Sequence, residues 1–499
     1  MNAVEVAHPV HLALRRLTDA GLIMLCGRFL FAATVESSPA FGVPLILAIG
    51  AFGLAWWQPR TALFAFMAFL PWFNGLGQSG LVSCAAPGSL VFSSMFLGWK
   101  FRGGRPDPTK LAEATEHRKF PFIEGICTVL NAAILLSLAA QIFRSGPQSE
   151  FLHHATKQAV FGFGDPYYFL TSSLIWLQGL ALFRRLSHDF TASAQWLGPI
   201  VTMQVASMVF FVLFQWISDV PTLYNGYAFF LPYEDISSFG SVAATLLIYV
   251  AATWKKSSAG LSALRLAGVV VLFAMVVVSW SRATWAVAIF LLLVIAGLRL
   301  PKSWRLGIVA SVVLVVAVAN MPNLPSAWKT QPYIFRLVSL ARLESPVKKD
   351  PTRFDLYGKA FRMIWERPFT GHGIGSFYST SVRYARLGDP YAAKPDFAHN
   401  TLLLLAAELG APAALLFGGL CGWLLWLGLR FAGLTADGTL RTTALGLTLA
   451  VVTYLLTQMT ANSLNVYASN QFFFWFLVAS LFQITRSIPA SAAQAIQHV

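Results

Sequence analysis

Few residues in this chain could perform polar chemistry, and those that stand out fall between Ser281 and Gly410. Arg282 sits where one apolar run, 261–280, gives way to the next, 283–298. A guanidinium at such a junction either snorkels to the membrane interface or holds an anion. His399 precedes Asn400 and Thr401, either of which would cap a helix whose stripe is Leu402, Leu405, Ala406 and Leu409. The positive end of that helix disfavours imidazolium, which leaves His399 neutral and able to take a proton; the alternative is a histidine hydrogen-bonded at an interface. Gly371-His372-Gly373-Ile374-Gly375 offers backbone that can approach a phosphate closely, or a plain turn.

A helix must position the first part of this region. Asp350 as N-cap, Pro351 at the first helical position and Pro368 after the end predict a helix over 351–367. Phe354, Tyr357, Phe361, Ile364 and Trp365 recur at helical spacing, with Arg353, Lys359 and Arg362 on or near the polar side. That basic face is either laid on lipid headgroups or a wall for an anion. Residues 321–397 as a whole carry twelve Lys and Arg against six acids, a net charge of +6.

Everything around this segment is apolar. The 499 residues are 56% hydrophobic and 11% charged, where a soluble chain carries about 25% charged residues, and the mean hydropathy is +0.62. The formal charge of +15 would suggest nucleic acid in a soluble protein, but the long apolar runs exclude that partner. Four cysteines without a CxxC or Cys/His cluster exclude a disulfide scaffold and leave no metal site expected. Apolar stretches such as 122–143, 167–183, 197–217, 236–253, 261–280, 283–298, 306–319, 411–429, 442–458 and 471–484, with shorter ones before residue 100, predict an all-α polytopic membrane protein of about 12–14 transmembrane helices. One large helical loop interrupts them.

Basic residues orient the chain. With the N-terminus cytoplasmic, Arg15, Arg16, Arg60, the 100–119 loop, Arg184, Arg185, Lys255, Lys256, Arg299, Arg430 and Arg486 all lie inside, and the C-terminus returns there. The short loops on the other side hold only Arg144 and Lys157. Residues 321–397 are then periplasmic, since long loops cross regardless of charge. Arg28 interrupts the first apolar stretch and no small-residue cleavage pattern follows, so an uncleaved start is expected.

The pieces also come in a known order. Ser281-Arg282-Ala283-Thr284-Trp285 opens a span, and after one more span and the large loop come Arg353-Phe354, then Glu366-Arg367-Pro368-Phe369-Thr370-Gly371-His372-Gly373-Ile374-Gly375, then His399-Asn400 and Gly410. This resembles the O-antigen ligase and polymerase family of membrane glycosyltransferases across roughly residues 262–430. The resemblance divides the chain into an N-terminal transmembrane region 1–261, a ligase-like core 262–430, and C-terminal helices 431–499. It implies a metal-independent, inverting glycosyl transfer at the periplasmic face of a bacterial inner membrane, without a cofactor. The donor would be an undecaprenyl-pyrophosphate-linked glycan, and the acceptor lipid A–core or a growing glycan. By the same resemblance Arg282 holds the donor pyrophosphate and His399 is the base for the acceptor hydroxyl. Asn400, Gly371 and Gly373 are expected to line the substrate.

Two positions depart from the family pattern. Residue 413 is alanine where a glycine is expected, and segment 218–235 carries only Asp219, Glu234 and Asp235 where ligases have a further arginine. Arg353, Arg383 or Arg386 would then substitute for it. Ligase is the leading expectation because the loop is basic and lipid A–core is phosphorylated; polymerase is the alternative. A transporter would keep ionisable groups at mid-membrane, where the predicted spans are almost free of charge.

Overall fold

The computed structural model describes residues 3–36, 42–73, 87–102, 121–145, 165–189, 193–217, 236–254, 259–279, 281–299, 351–385, 396–461 and 467–486, with isolated positions between. Sixteen α-helices and one 3-10 turn lie within them, and the described residues contain no strand. In chain order they are α1 (Ala3–Glu36), α2 (Gly42–Trp57), α3 (Pro59–Ala68), α4 (Pro87–Phe101), α5 (Pro121–Arg144), α6 (Tyr168–Asp189), α7 (Ser193–Ile217), α8 (Ile236–Ala252), α9 (Ala259–Val278) and α10 (Arg282–Arg299). Then follow α11 (Pro351–Glu366), α12 (Phe377–Thr380), the 3-10 turn Ser381–Tyr384, α13 (Thr401–Leu409), α14 (Ala411–Leu434), α15 (Gly438–Gln458) and α16 (Ala468–Arg486).

This is an all-α, multi-pass membrane protein. Among the described residues, α5, α10, α14 and α15 are long and apolar enough to cross a bilayer, and shorter apolar helices lie within α2, α7, α8 and α9. The expected span 306–319 is described only at scattered positions, and segments 103–120, 218–235 and 321–350 lie outside the described residues, as does Arg386. Cys26, Cys127 and Cys421 are buried and free.

Long-range contacts define two ends of the bundle. Gln483 of α16 donates to Leu186 O, and Arg486 Nη1 to Ser187 O at 2.9 Å, so the last turns of α16 and α6 coincide. Tyr454 of α15 bonds Asn470 of α16 across a tight reversal, which makes α15 antiparallel to both. The start of α15 meets the end of α8, where a Cβ on Gly446 would touch Thr253 and Tyr249. Arg299 closes α10 onto the same end of α8 through Trp254 O at 2.9 Å. At the other end the first turn of α8, the last of α9 and the first of α10 converge, since Gly240 lies against Ser279 and Thr284. Arg282 belongs to this second end.

The described part of the large loop, residues 351–385, belongs there too. Tyr357 of α11 donates to Met459 O beyond the end of α15, and Gly375 packs on the backbone of Phe169 at the start of α6. The orientation of α11 corrects the expected polar face: Lys359 is fully buried with Leu356, Ala360 and Met363, while Phe354, Phe361 and Trp365 are exposed, Trp365 by 90%. An aromatic face turned outward at the end of a membrane bundle suits the bilayer interface.

Candidate functional site

Asn400 caps α13, its Oδ1 accepting the Leu403 N–H at 3.1 Å, with extended φ −156°. His399 thus stands one residue outside the helix. It has φ +47°, the one non-glycine residue with positive φ among those described. Such backbone is uncommon and is retained where the surroundings over-determine it. Its imidazole is partly exposed, with Nε2 3.0 Å from Asp396 Oδ2. When Nε2–H donates to that carboxylate, Nδ1 carries the lone pair.

Asp396 was not anticipated as a site residue, although the Asp-x-x-His spacing was visible. Burial pushes its carboxyl up, but the His399 hydrogen bond and charge, the Phe397 N–H and Arg353 outweigh that and hold it below the usual carboxylate range. Arg353, in the first turn of α11, therefore lies within electrostatic reach of the Asp396–His399 pair. Arg383 does not join them. It sits on the 3-10 turn and acts on His372 and Tyr384 instead.

His372 is built in. Its Nε2 lies 3.1 Å from Met363 O and 3.5 Å from the Tyr384 hydroxyl. Burial lowers its pKa, against the Met363 hydrogen bond, which raises it. Tyr384 donates to Glu366, and Arg362 Nη2 binds Tyr384 O at 2.6 Å, so this group ties the end of α11 to the 3-10 turn.

The glycine run, which the sequence offers as a plain turn or as backbone close to a phosphate, is a clasp. Every N–H from Gly371 to Phe377 is given to a protein acceptor. Gly371 donates to Arg367 O, His372 to Ala407 O, Gly373 to Glu408 O and Ser376 to Gly373 O. Ile374 donates to Ser137 Oγ at 2.8 Å, while Gly375 and Phe377 donate to the two carboxylate oxygens of Glu408 at 2.9 and 3.0 Å. Gly371 (φ +63°) could not carry a Cβ, which would lie 2.3 Å from the Glu408 carbonyl. Gly410 (φ +90°) meets Phe369 O just as closely, and Ala411 N–H donates to Pro368 O at 2.7 Å.

Glu408 was missed, hidden in the apolar stripe of α13. It is 4% exposed, and burial raises its pKa from 4.5 to about 7, against the Gly375 and Phe377 amides, which favour the carboxylate. The nine residues of α13 hold His399 at one end and this clasp at the other, about 14 Å apart at 1.5 Å per residue. That fixed length gives the His399–Gly410 spacing a physical meaning.

Arg282 opens α10 and is exposed. Ser281 Oγ accepts the Thr284 N–H at 3.3 Å and its hydroxyl at 2.9 Å, and Trp285 Nε1 ties the turn to Val276 O at 2.7 Å. The side chain thus projects from a fixed corner at the same end of the bundle as the loop. Among the described residues, no group of three His, Cys, Asp or Glu could hold a metal ion.

Residues 267–418 match the family model described as O-antigen ligase, a segment that begins within α9, contains Arg282, α11, the glycine clasp and His399, and ends within α14. No curated protein matches the chain.

Proposed function

We propose, from the match of residues 267–418 to the family model described as O-antigen ligase, that the chain moves a glycan from undecaprenyl pyrophosphate to a hydroxyl of lipid A–core at the periplasmic face of a bacterial inner membrane. The observation that carries this reading is the Asp396–His399 pair, held on left-handed backbone at the same end of the bundle as Arg282.

In the proposed reaction the acceptor hydroxyl attacks the anomeric carbon as His399 Nδ1 takes its proton. The bond from that carbon to the pyrophosphate oxygen breaks, and undecaprenyl pyrophosphate leaves with the electron pair, so the anomeric configuration inverts. Arg282 stabilises the charge that develops on the leaving group, and its planar fork suits a pyrophosphate. Asp396 positions the imidazole and stabilises the imidazolium that proton transfer creates. Arg353 supplies positive charge beside the pair, where an anionic acceptor would approach. No metal enters this scheme.

A polymerase that lengthens the glycan on the same carrier needs the same residues. The absence of an arginine from 218–235 favours that second reading. Purified protein given lipid-linked glycan with either lipid A–core or a second lipid-linked glycan tests both. Ligase activity should appear only with the first acceptor, polymerase activity only with the second, and no transfer to either would overturn the assignment.

A further inference from the structure

At the opposite end of the bundle a cavity of about 220 Å³ lies between α1, α4, α5 and α6. Along α6, Arg184 is fifteen residues from Phe169, which packs against the glycine clasp, so the cavity is about 22 Å from that clasp. Arg15, Lys100, Arg184 and Arg185 line it, with Asp19 as the lining acid. Lys100 Nζ engages Asp19 Oδ2 at 2.6 Å, so among the described residues basic side chains outnumber acids on this wall; Glu124 is a further acid within electrostatic reach of Arg184. Arg184 donates to Thr128 Oγ, and the Arg185 guanidinium lies 5.3 Å from the Trp99 ring centroid.

Two of the lining residues carry a buried polar atom with no hydrogen-bond partner among the described residues: the Trp99 Nε1 donor and the Asn131 Oδ1 acceptor. A buried donor or acceptor left unmade costs about 1–3 kcal/mol, so each needs an explanation. A phosphodiester alone would serve Trp99 and the arginines but has no hydrogen to offer Asn131. A phosphodiester that also bears a hydroxyl satisfies both. Leu22, Phe96, Leu177 and Ala181 make the rest of the wall apolar, as an acyl-bearing molecule requires. We propose that this cavity binds a hydroxyl-bearing anionic phosphodiester of the phosphatidylglycerol type, its phosphate on the arginines and Trp99 and its hydroxyl on Asn131. Basic pockets between membrane helices commonly take such headgroups.

The test uses the full chain in detergent, with the thermal midpoint and lipid retained in native mass spectrometry as readouts. The probes are phosphatidylglycerol, phosphatidylcholine and water-soluble glycerophosphoglycerol. Phosphatidylglycerol should be retained and should raise the midpoint, and phosphatidylcholine should do neither. Arg15→Gln and Arg185→Gln, which keep the helices, should each weaken retention about tenfold, the worth of one charge-assisted hydrogen bond. Asn131→Leu should weaken phosphatidylglycerol retention several-fold, the worth of one neutral hydrogen bond, with phosphatidylcholine still not retained. Displacement of the lipid by millimolar glycerophosphoglycerol would identify the headgroup alone as ligand, and failure to displace would identify the whole lipid. Equal retention of the two lipids by the wild type, or unchanged phosphatidylglycerol retention in both arginine variants, would overturn the proposal. Transfer activity at the other end does not enter any of these readouts.

Discussion

His399 combines two demands that single substitutions can separate. Loss of a general base costs about 10² to 10⁴ in rate, so His399→Ala is expected to abolish detectable transfer while donor binding persists. Because alanine tolerates φ +47° poorly, His399→Asn is the better control: asparagine accepts left-handed backbone, and this variant should fold normally and still be inactive. Asp396→Asn keeps the shape but removes the charge beside the imidazole, and should lower turnover about 10- to 100-fold with little change in donor binding. His372→Ala should retain transfer and lose only about 1 kcal/mol of stability with its Met363 hydrogen bond. At the donor end, Arg282→Lys keeps the charge and loses the bidentate fork, so a large loss of activity is expected even there. In vitro transfer from purified lipid-linked glycan checks each variant; near-normal turnover by His399→Asn would return His399 to a structural role.

Between α11 and α14 the decisive element is the clasp on α13. Gly371→Ala places a Cβ against the Glu408 carbonyl and adds an unfavourable positive φ, so a loss of about 2 kcal/mol or more is expected in thermal unfolding. Glu408 makes the clasp pH-dependent, because its folded pKa is raised from 4.5 to about 7. For a raised pKa, the group's stabilising contribution is complete below about 4.5 and disappears as pH rises through about 7. Glu408→Gln should therefore flatten the thermal midpoint between those values. It also loses an acceptor for one of the two amides of Gly375 and Phe377, so it should be less stable than the wild type at low pH. A wild-type midpoint that does not fall across this window would remove Glu408 as its titrating group.

For the whole molecule, the two ends differ in charge chemistry. One gathers Arg282, α11, the clasp and His399; the other gathers Arg15, Lys100, Arg184, Arg185, Arg299 and Arg486. The positive-inside rule expects the more basic end to be cytoplasmic, so single cysteines in 321–397 should react with an impermeant reagent from outside the inner membrane and those in 100–119 should not. Labelling of the large loop from the cytoplasm would invert the mechanism's location. An acceptor held by the basic loop should be lost with rising salt, and charge reversal at Arg353, Arg383 and Arg386, one at a time, should rank Arg353 first, since it alone among the described pair of these residues lies beside Asp396.

The sequence by itself determined the helices, the membrane class, the cap at Asn400 and the resemblance to the O-antigen ligase family, because each is written in local composition, 3.6-residue periodicity or the order of short motifs. Pro351 and Pro368 framed α11, and Asn400 with Gly410 framed α13, within a residue of their observed ends. Only the tertiary structure decided what those pieces do together. Nothing local tells that His372, Gly373 and Gly375 give their amides to residues 407–408 rather than to a phosphate, since those acceptors lie more than thirty residues away. Glu408 looked like one polar break in an apolar stripe until two amides closed on it. The facing of α11 was misjudged for a related reason: periodicity shows that a helix has two faces, but whether water or lipid meets the aromatic one depends on what the other face packs against.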